Sequence, residues 1–318
     1  MDNRRKIQYM TRQHYAEYVR EYTCRLISLL REKTSKNLYR TYGFEYEFLP
    51  RHPITASHVN QLKEFLLNKG FSLNEDRDIA VSSDLYISFE AGGQIEYSSP
   101  PILAGDHSVL QEMLTLIQHT NETIHQQYGI EYLAVGYVPE REEISLCVPS
   151  ERYQRLHTRM TTCGTRGREM LKGTASIHLH VVLQNIWEIL PLFRKLLNMS
   201  SMEAFKMSPD RRAIWDHTDP GRCNLSLNDV MGLDNSEQFI ELFVRFALEA
   251  VHIHTNTVFW QTQGHSFQTF CEHLTTIYTD VRINLKGPTL ELRTPDSLPF
   301  SAFESKWKQF IRNIEHDA

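Results

Sequence analysis

Four strand-like segments of this chain carry polar side chains two residues apart, with apolar or aromatic residues between them. Glu45 and Glu47 lie in Gly43-Phe44-Glu45-Tyr46-Glu47-Phe48. Gln94 and Glu96 lie in Gly93-Gln94-Ile95-Glu96, His178 and His180 in Ile177-His178-Leu179-His180-Val181, and Glu291 and Arg293 in Leu290-Glu291-Leu292-Arg293. Residues i and i+2 of a strand share one face. Each segment therefore has an apolar face for a core and an opposite face bearing these pairs. An ordinary solvated face also alternates, but such faces are rich in Lys, Thr and Ser. These four pairs supply carboxylates, imidazoles, an amide and a guanidinium, and no lysine.

Carboxylates gathered on one sheet face repel one another unless cations lie between them. Carboxylate oxygens suit Mg²⁺ and Mn²⁺, and imidazole nitrogens favour Mn²⁺ over Mg²⁺. An arginine beside such a cluster fits the transfer of an anionic group, because it stabilises charge on phosphoryl oxygens that the metals do not reach.

The flanking sequence predicts helices over Tyr15–Glu32, Thr55–Asn68 and Asp106–Tyr128, the last two ending at Gly70 and Gly129. Strands are predicted over Thr41–Leu49, Asp84–Phe89, Gln94–Ser98, Ile130–Val138, Thr174–Leu183 and Thr289–Thr294. Further helices are predicted over Arg152–Leu171 with a break at Gly164 and Gly167, and over Ser236–Ala250, Thr269–Tyr278 and Ser301–Ile314. Val251-His252-Ile253-His254-Thr255 either lines the site or, as expected, forms an ordinary strand. Several neighbouring strands are joined by turns too short for a parallel crossover, which predicts an α+β fold with a mainly antiparallel sheet and helices on one side. No Pro/Gly/Ser-rich linker divides the chain, so one domain over residues 1–318 is expected, with a helical segment over 1–40.

With 318 residues, 41% hydrophobic and 23% charged, the composition is that of a globular protein. A formal charge of -5 gives no basic field for a nucleic acid. The apolar runs, such as Ile189-Leu190-Pro191-Leu192-Phe193, are too short to cross a membrane, and Met1-Asp2-Asn3-Arg4-Arg5-Lys6 leads into polar sequence; the expectation is a cytoplasmic protein without a membrane partner. Five scattered cysteines without C-x-x-C spacing predict reduced, packed thiols.

A second cluster runs from Ser208 to Arg222, with three arginines and Trp215 in turn-rich sequence. It reads either as a basic surface loop or as a grip for a carboxylate or phosphate. No G-x-x-x-x-G-K-[ST] motif occurs. Any nucleotide is therefore expected to bind through metals and arginines.

Taken in order, Gly43-Phe44-Glu45-Tyr46-Glu47, Glu90-Ala91-Gly92-Gly93-Gln94-Ile95-Glu96, Arg211-Arg212-Ala213-Ile214-Trp215 through Asp219-Pro220-Gly221-Arg222, and His273-Leu274-Thr275-Thr276-Ile277-Tyr278 before Leu290-Glu291-Leu292-Arg293 resemble the motifs of plant-type glutamate-cysteine ligases. Ser176–Val181 and Glu291–Asp296 also resemble glutamine synthetase, the parent of the wider superfamily. The resemblance implies a glutamine-synthetase-like curved sheet, ATP and Mg²⁺ or Mn²⁺ as cofactors, and an acyl-phosphate intermediate. It implies Glu45, Glu47, Glu96, Glu291 and His178 as metal ligands and Arg293 and Glu90 as catalytic residues. Arg211, Trp215, Gln94, His180 and Arg222 are implied as substrate-binding.

The chain is shorter than most plant-type ligases and carries two histidines where they usually have Gln and Asn, differences that bear on the amine acceptor. The expected activity is ATP-dependent joining of an acid, by default glutamate, to an amine such as cysteine. The alternatives are a phosphotransferase on the same sheet and a non-catalytic binding or regulatory relative.

Overall fold

The computed structural model describes residues 3–73, 79–81, 85–223, 225 and 227–315. Nine antiparallel strands among them form one open sheet: β1 (Tyr42–Pro50), β2 (Ser72–Leu73), β3 (Ile79–Val81), β4 (Tyr86–Phe89), β5 (Ile95–Ser98), β6 (Tyr132–Leu133), β7 (Ile177–Val182), β8 (Val281–Asn284) and β9 (Thr289–Leu292). Their order is β2-β3-β4-β5-β1-β7-β9-β8, with β6 paired to the end of β1. Chain-distant β1 and β9 thus flank β7, in the middle of the sheet.

Alternation in β1 fixes which face is buried. Phe44, Tyr46 and Phe48 are essentially inaccessible and point to helix α12 (Phe300–Glu315). Tyr46 stacks on Phe303 at 4.7 Å, and Phe44 meets the same ring edge-on at 5.0 Å. Each such aromatic contributes about 2–3 kcal/mol by burial. Helices α3 (His107–Tyr128) and α6 (Ile189–Met199) pack on this side too, α3 through a hydrogen bond from Tyr97 Oη to Asn121 at 2.6 Å. The helices α4 (Glu151–Thr162), α5 (Gly167–Gly173) and α7 (Pro209–Asp216) form a second apolar cluster with Ala91 and Tyr278, through Tyr153, Met170, Ile214 and Trp215.

The sequence expectations hold for the α+β class, for the helices ending at Gly70 and Gly129, and for the break between α4 and α5. The first helix is longer than expected, running Asn3–Thr34. The strand expected over Ile130–Val138 shrinks to Tyr132–Leu133, because only Leu49 and Pro50 remain to pair with it. The 208–222 region is helical, not turn-rich: Pro209 opens α7 at a position where its missing N–H is harmless. The helix expected over Thr269–Tyr278 covers only Phe267–Leu274, and Val251–Thr255 forms a turn closed by one bridge, Val251 to Val258. Asp84, where one strand was expected to begin, lies outside the described residues.

The β4–β5 turn is held by close backbone approach. A Cβ at Gly92 would collide with the Lys172 main chain, and Gly93 has φ +85°, which favours glycine. Lys172 cannot retreat easily, since its buried ammonium donates to the Glu142 and Ile144 carbonyls, the latter at 2.8 Å. Gly92→Ala is therefore expected to lower stability by at least about 2 kcal/mol, read as a lower urea midpoint with unchanged slope. An unchanged midpoint would show that this contact is not tight.

Candidate metal centre on the polar face of the sheet

Strand register assembles the site. Glu47 pairs with Glu96 across β1 and β5, Glu45 with His178 across β1 and β7, His180 with Glu291 across β7 and β9, and Glu291 with Arg282 across β9 and β8. Directly opposed residues lie within about 5 Å of each other at Cβ, so these side chains form one row across the sheet. The row runs from carboxylates on β5 and β1 through two imidazoles to guanidiniums on β8 and just beyond β9.

Two groups of potential ligand atoms lie within 4.8 Å of one another: Glu45, Glu96 and His178, and Glu45, His180 and Glu291. Glu45 belongs to both. His178 Nδ1 hydrogen-bonds Glu45, while its Nε2 is 2.8 Å from Ser176 Oγ. Glu96 accepts from Ser88 Oγ at 3.1 Å. His180 Nε2 is buried 3.5 Å from Glu45 Oε1 and has no hydrogen-bond partner among the described residues.

Electrostatics separates the carboxylates. Burial raises the Glu45 carboxyl, but the hydrogen bond from His178 and the charges of His178 and His180 outweigh it and hold it well below the usual range. Glu96 goes well above its ordinary value, through burial and then repulsion from Glu45, Glu90 and Glu47. Glu90 is raised chiefly by burial, with the Tyr153 hydrogen bond and Arg152 opposing. For Glu291 burial opposes ionisation, yet Arg282 and Arg293 bring it down to about 2. Burial, the largest single influence on His180, lowers it, but Glu45 and Glu291 together raise it above its ordinary value.

A divalent cation would relieve the crowding at Glu45 and Glu96, and the orphaned His180 nitrogen gives the second group a ready donor. Two carboxylates and an imidazole in each group suit Mn²⁺ or Mg²⁺. The groups differ in charge. Arg282 donates to Glu291 Oε2 at 3.0 Å and lies 2.8 Å from its Oε1 as an ion pair, and Arg293 binds the same carboxylate. Glu96 in the first group has Glu90 and Glu47 as its further neighbours, and among the described residues no arginine makes an ion pair with it.

The structure distributes the other expected site residues differently. Glu47 joins neither group; its Oε2 accepts from Ser176 N at 2.7 Å and Ser176 Oγ at 3.0 Å. Glu90 is at the rim, accepting from the Tyr153 hydroxyl. Gln94 is buried and works on the main chain, accepting from Gly92 N at 2.8 Å and donating to Thr174 O at 3.1 Å. Arg293 keeps a buried Nε without a partner among the described residues.

Arg211 is 1% exposed, donating to Thr294 O, Arg293 O and Asp296 Oδ1, each at 2.9 Å. Arg222 is fully inaccessible, bound to Asp219 at 3.1 Å, to Thr276 and to the Val251 carbonyl. Trp215 is buried with Nε1 donating to Tyr278 O at 3.0 Å. These last three, expected to hold substrate, are buried here and hydrogen-bonded to the segments that carry Arg293 and Tyr278. The sequence reading missed Ser176, Tyr153 and Arg282. Arg282 had a legible signal, the alternating Val281-Arg282-Ile283-Asn284.

Residues 41–201, just over half of the chain, match the model of Glutamate-cysteine ligase family 2 (GCS2). Chloroplastic glutamate--cysteine ligases are similar to it: that of Arabidopsis thaliana is 25% identical over 249 residues, covering 67% of this chain and 46% of the relative. Ligase B of Oryza sativa subsp. japonica is 24% identical over 248 residues, covering 67% and 48%. The chain spans about half the length of the curated relatives it matches. The family match takes in Glu45, Glu47, Glu90, Gln94, Glu96, His178 and His180, while Glu291 and Arg293 lie beyond it on the same row. On the family match and the ligand row together, this chain belongs to glutamate-cysteine ligase family 2.

Proposed function

We propose that the chain is a single catalytic domain of glutamine-synthetase-like fold, an ATP-dependent carboxylate-amine ligase that activates the side-chain carboxylate of glutamate and joins it to an amine such as cysteine. The observation that carries this reading is the pair of carboxylate-imidazole groups sharing Glu45, with Arg293 beside the second. Glu45, Glu96 and His178 would hold one Mg²⁺ or Mn²⁺, and Glu45, His180 and Glu291 another. Bound there, the metals supply neutralisation of polyphosphate charge.

In the first step a substrate carboxylate oxygen bonds to the γ-phosphorus of ATP as the bond to the bridging oxygen breaks, releasing ADP. Arg293, beside the Glu291 carboxylate, would stabilise charge on the phosphoryl oxygens. In the second step the amine attacks the acyl carbon, phosphate leaves, and the amine nitrogen loses a proton. Glu90, through the oxygen not engaged by Tyr153, would take it. Neither step needs a protein nucleophile. Burial raises the thiols of Cys163, to about 11, and of Cys223, to about 12, which keeps both inert.

The test is release of ADP and phosphate with L-glutamate and a panel of amines including L-cysteine, in Mg²⁺ or Mn²⁺, with the product mass measured. The expected product is the amide, its mass that of acid plus amine less water. Release of a phosphorylated acid would instead identify a phosphotransferase. Absence of ADP with every acid and amine pair would reject catalysis.

A further inference from the structure

Ser176 is 4% exposed, touches two side chains of the ligand row and belongs to neither cation group. It directly precedes β7 and shares a face with His178 and His180 through the i, i+2, i+4 spacing of that segment. Its main chain is clamped on two sides. The Ser176 carbonyl accepts from Glu47 N at 3.0 Å, and an antiparallel bridge ties the residue to Asp296. The hydroxyl is therefore presented at a fixed place.

That single hydroxyl proton has two neighbours. Oγ lies 3.0 Å from Glu47 Oε2 and 2.8 Å from His178 Nε2. The same Glu47 oxygen already accepts from Ser176 N at 2.7 Å, so it turns lone pairs, not a proton, towards Ser176. The hydroxyl accordingly donates to Glu47. Towards His178 its oxygen can only accept, which makes Nε2 the ring nitrogen that carries hydrogen. Glu47 Oε1, 3.6 Å from Nε2, is too far to accept in its place. The other nitrogen, Nδ1, faces Glu45, the carboxylate common to both groups.

We propose that Ser176 is a positioning residue for the first cation group: it holds His178 with hydrogen on Nε2 and directs the Nδ1 lone pair to a cation beside Glu45 and Glu96. Histidines that hold metals usually donate their second ring N–H to a fixed acceptor, which sets both the tautomer and the orientation of the ring. Ser176 is that acceptor, and Glu47 behind it fixes the hydroxyl. The proposal rests on the metal-dependent ligase reading and deepens it, since it gives Glu47 the support of this histidine. His180 lies outside the arrangement, its Nδ1 3.2 Å from Thr289 Oγ1 and its Nε2 3.5 Å from Glu45 Oε1. Loss of the Ser176 hydroxyl therefore acts on one group and spares the other.

The experiment compares wild type, Ser176→Ala and Ser176→Thr, with Mn²⁺ or Mg²⁺ as the only added component. Alanine keeps the backbone amide on Glu47 and removes the hydroxyl alone. Equilibrium Mn²⁺ titration of Ser176→Ala should show one site weakened about 10- to 100-fold, as for loss of an outer partner of a metal-binding histidine, and the other within about twofold of wild type. Glu96→Gln, which removes the first group, identifies the weakened site. Ser176→Thr restores a hydroxyl and should recover most of the loss. Nitrogen NMR of the imidazoles in the Mg²⁺-saturated protein should place hydrogen on Nε2 of His178 in wild type and Ser176→Thr, and should show both tautomers in Ser176→Ala.

Wild-type affinity at both sites in Ser176→Ala overturns the proposal, as does equal weakening of both with a lower urea midpoint, the mark of a merely structural serine. Hydrogen on Nδ1 of His178 in the Mg²⁺-saturated wild type overturns it too, and so does absence of Mn²⁺ binding to wild type. A wild type that binds Mn²⁺ with His178 in the expected tautomer but releases no ADP with any acid and amine pair leaves this assignment standing and rejects the ligase reading alone.

Discussion

Glu45→Gln is expected to abolish both cation groups at once, because the same carboxylate serves each of them. Glutamine keeps the volume and a hydrogen-bonding oxygen for His178, so the fold should persist without metal. The change appears when metal is added. A cation that binds only the folded state stabilises it by RT ln(1 + [L]/Kd), about 2.7 kcal/mol at a hundredfold excess over Kd. Wild type should therefore gain stability with Mn²⁺, and Glu45→Gln should gain almost none. Ligase turnover, where the proposed activity is present, should fall about a thousandfold, the scale of several kcal/mol of lost transition-state stabilisation.

The single-group variants sharpen this result. Glu96→Gln touches only the first group, whereas Glu291→Gln touches only the second. Equilibrium Mn²⁺ titration followed by electron paramagnetic resonance should count one site fewer in each and none in Glu45→Gln. If Glu45→Gln retains the full wild-type count, the shared-carboxylate geometry is wrong.

The second large effect is structural. Arg211→Ala removes a buried guanidinium that satisfies the carbonyls of Arg293 and Thr294 and the carboxylate of Asp296. Breaking such a pair from one side typically costs about 3–5 kcal/mol, because the partner charge stays behind unpaired. Chemical denaturation should show a loss of that size, a large fraction of the stability of an ordinary domain. A substrate-gripping Arg211 would behave differently: its replacement would raise KM and leave the denaturation midpoint in place. Destabilisation with a modest KM change supports the bracing role, since Arg211 sets where Arg293 emerges from β9 and contacts no open space itself.

The residues chosen from the sequence sort by one physical property, the strength of strand alternation. Glu45, Glu96, His178, His180 and Glu291 were legible because period-two patterning assigns a face before any pairing is known. Arg211, Trp215 and Arg222 were legible as motif residues but not as to their role. Whether an arginine meets substrate or main chain depends on its burial, and burial is set by the packing of α7 against Tyr278. Tyr153 belongs to the amphipathic helix α4 and reaches Glu90 only through the packing of that helix with Ala91 and Tyr278, which no local pattern encodes. The sheet order was likewise hidden, since β8 is short and β1 lies far from β7 and β9 along the chain.

That separation governs how the protein is made as well as how it works. Among the described strands Glu45 enters the row on the first and Glu291 on the last, so the second carboxylate-imidazole group is assembled only when the chain through Glu291 has been made and the sheet has closed through its most distant pairings. Loop closure over such distances is slow, and its entropy is lost before the contacts reward it. A partly assembled chain presents the β1 carboxylates without the guanidiniums that balance Glu291. Metal uptake at the Glu291 group, if the proposed cation binds there, would in that sense report completed folding: it would begin when the last strand has found its place.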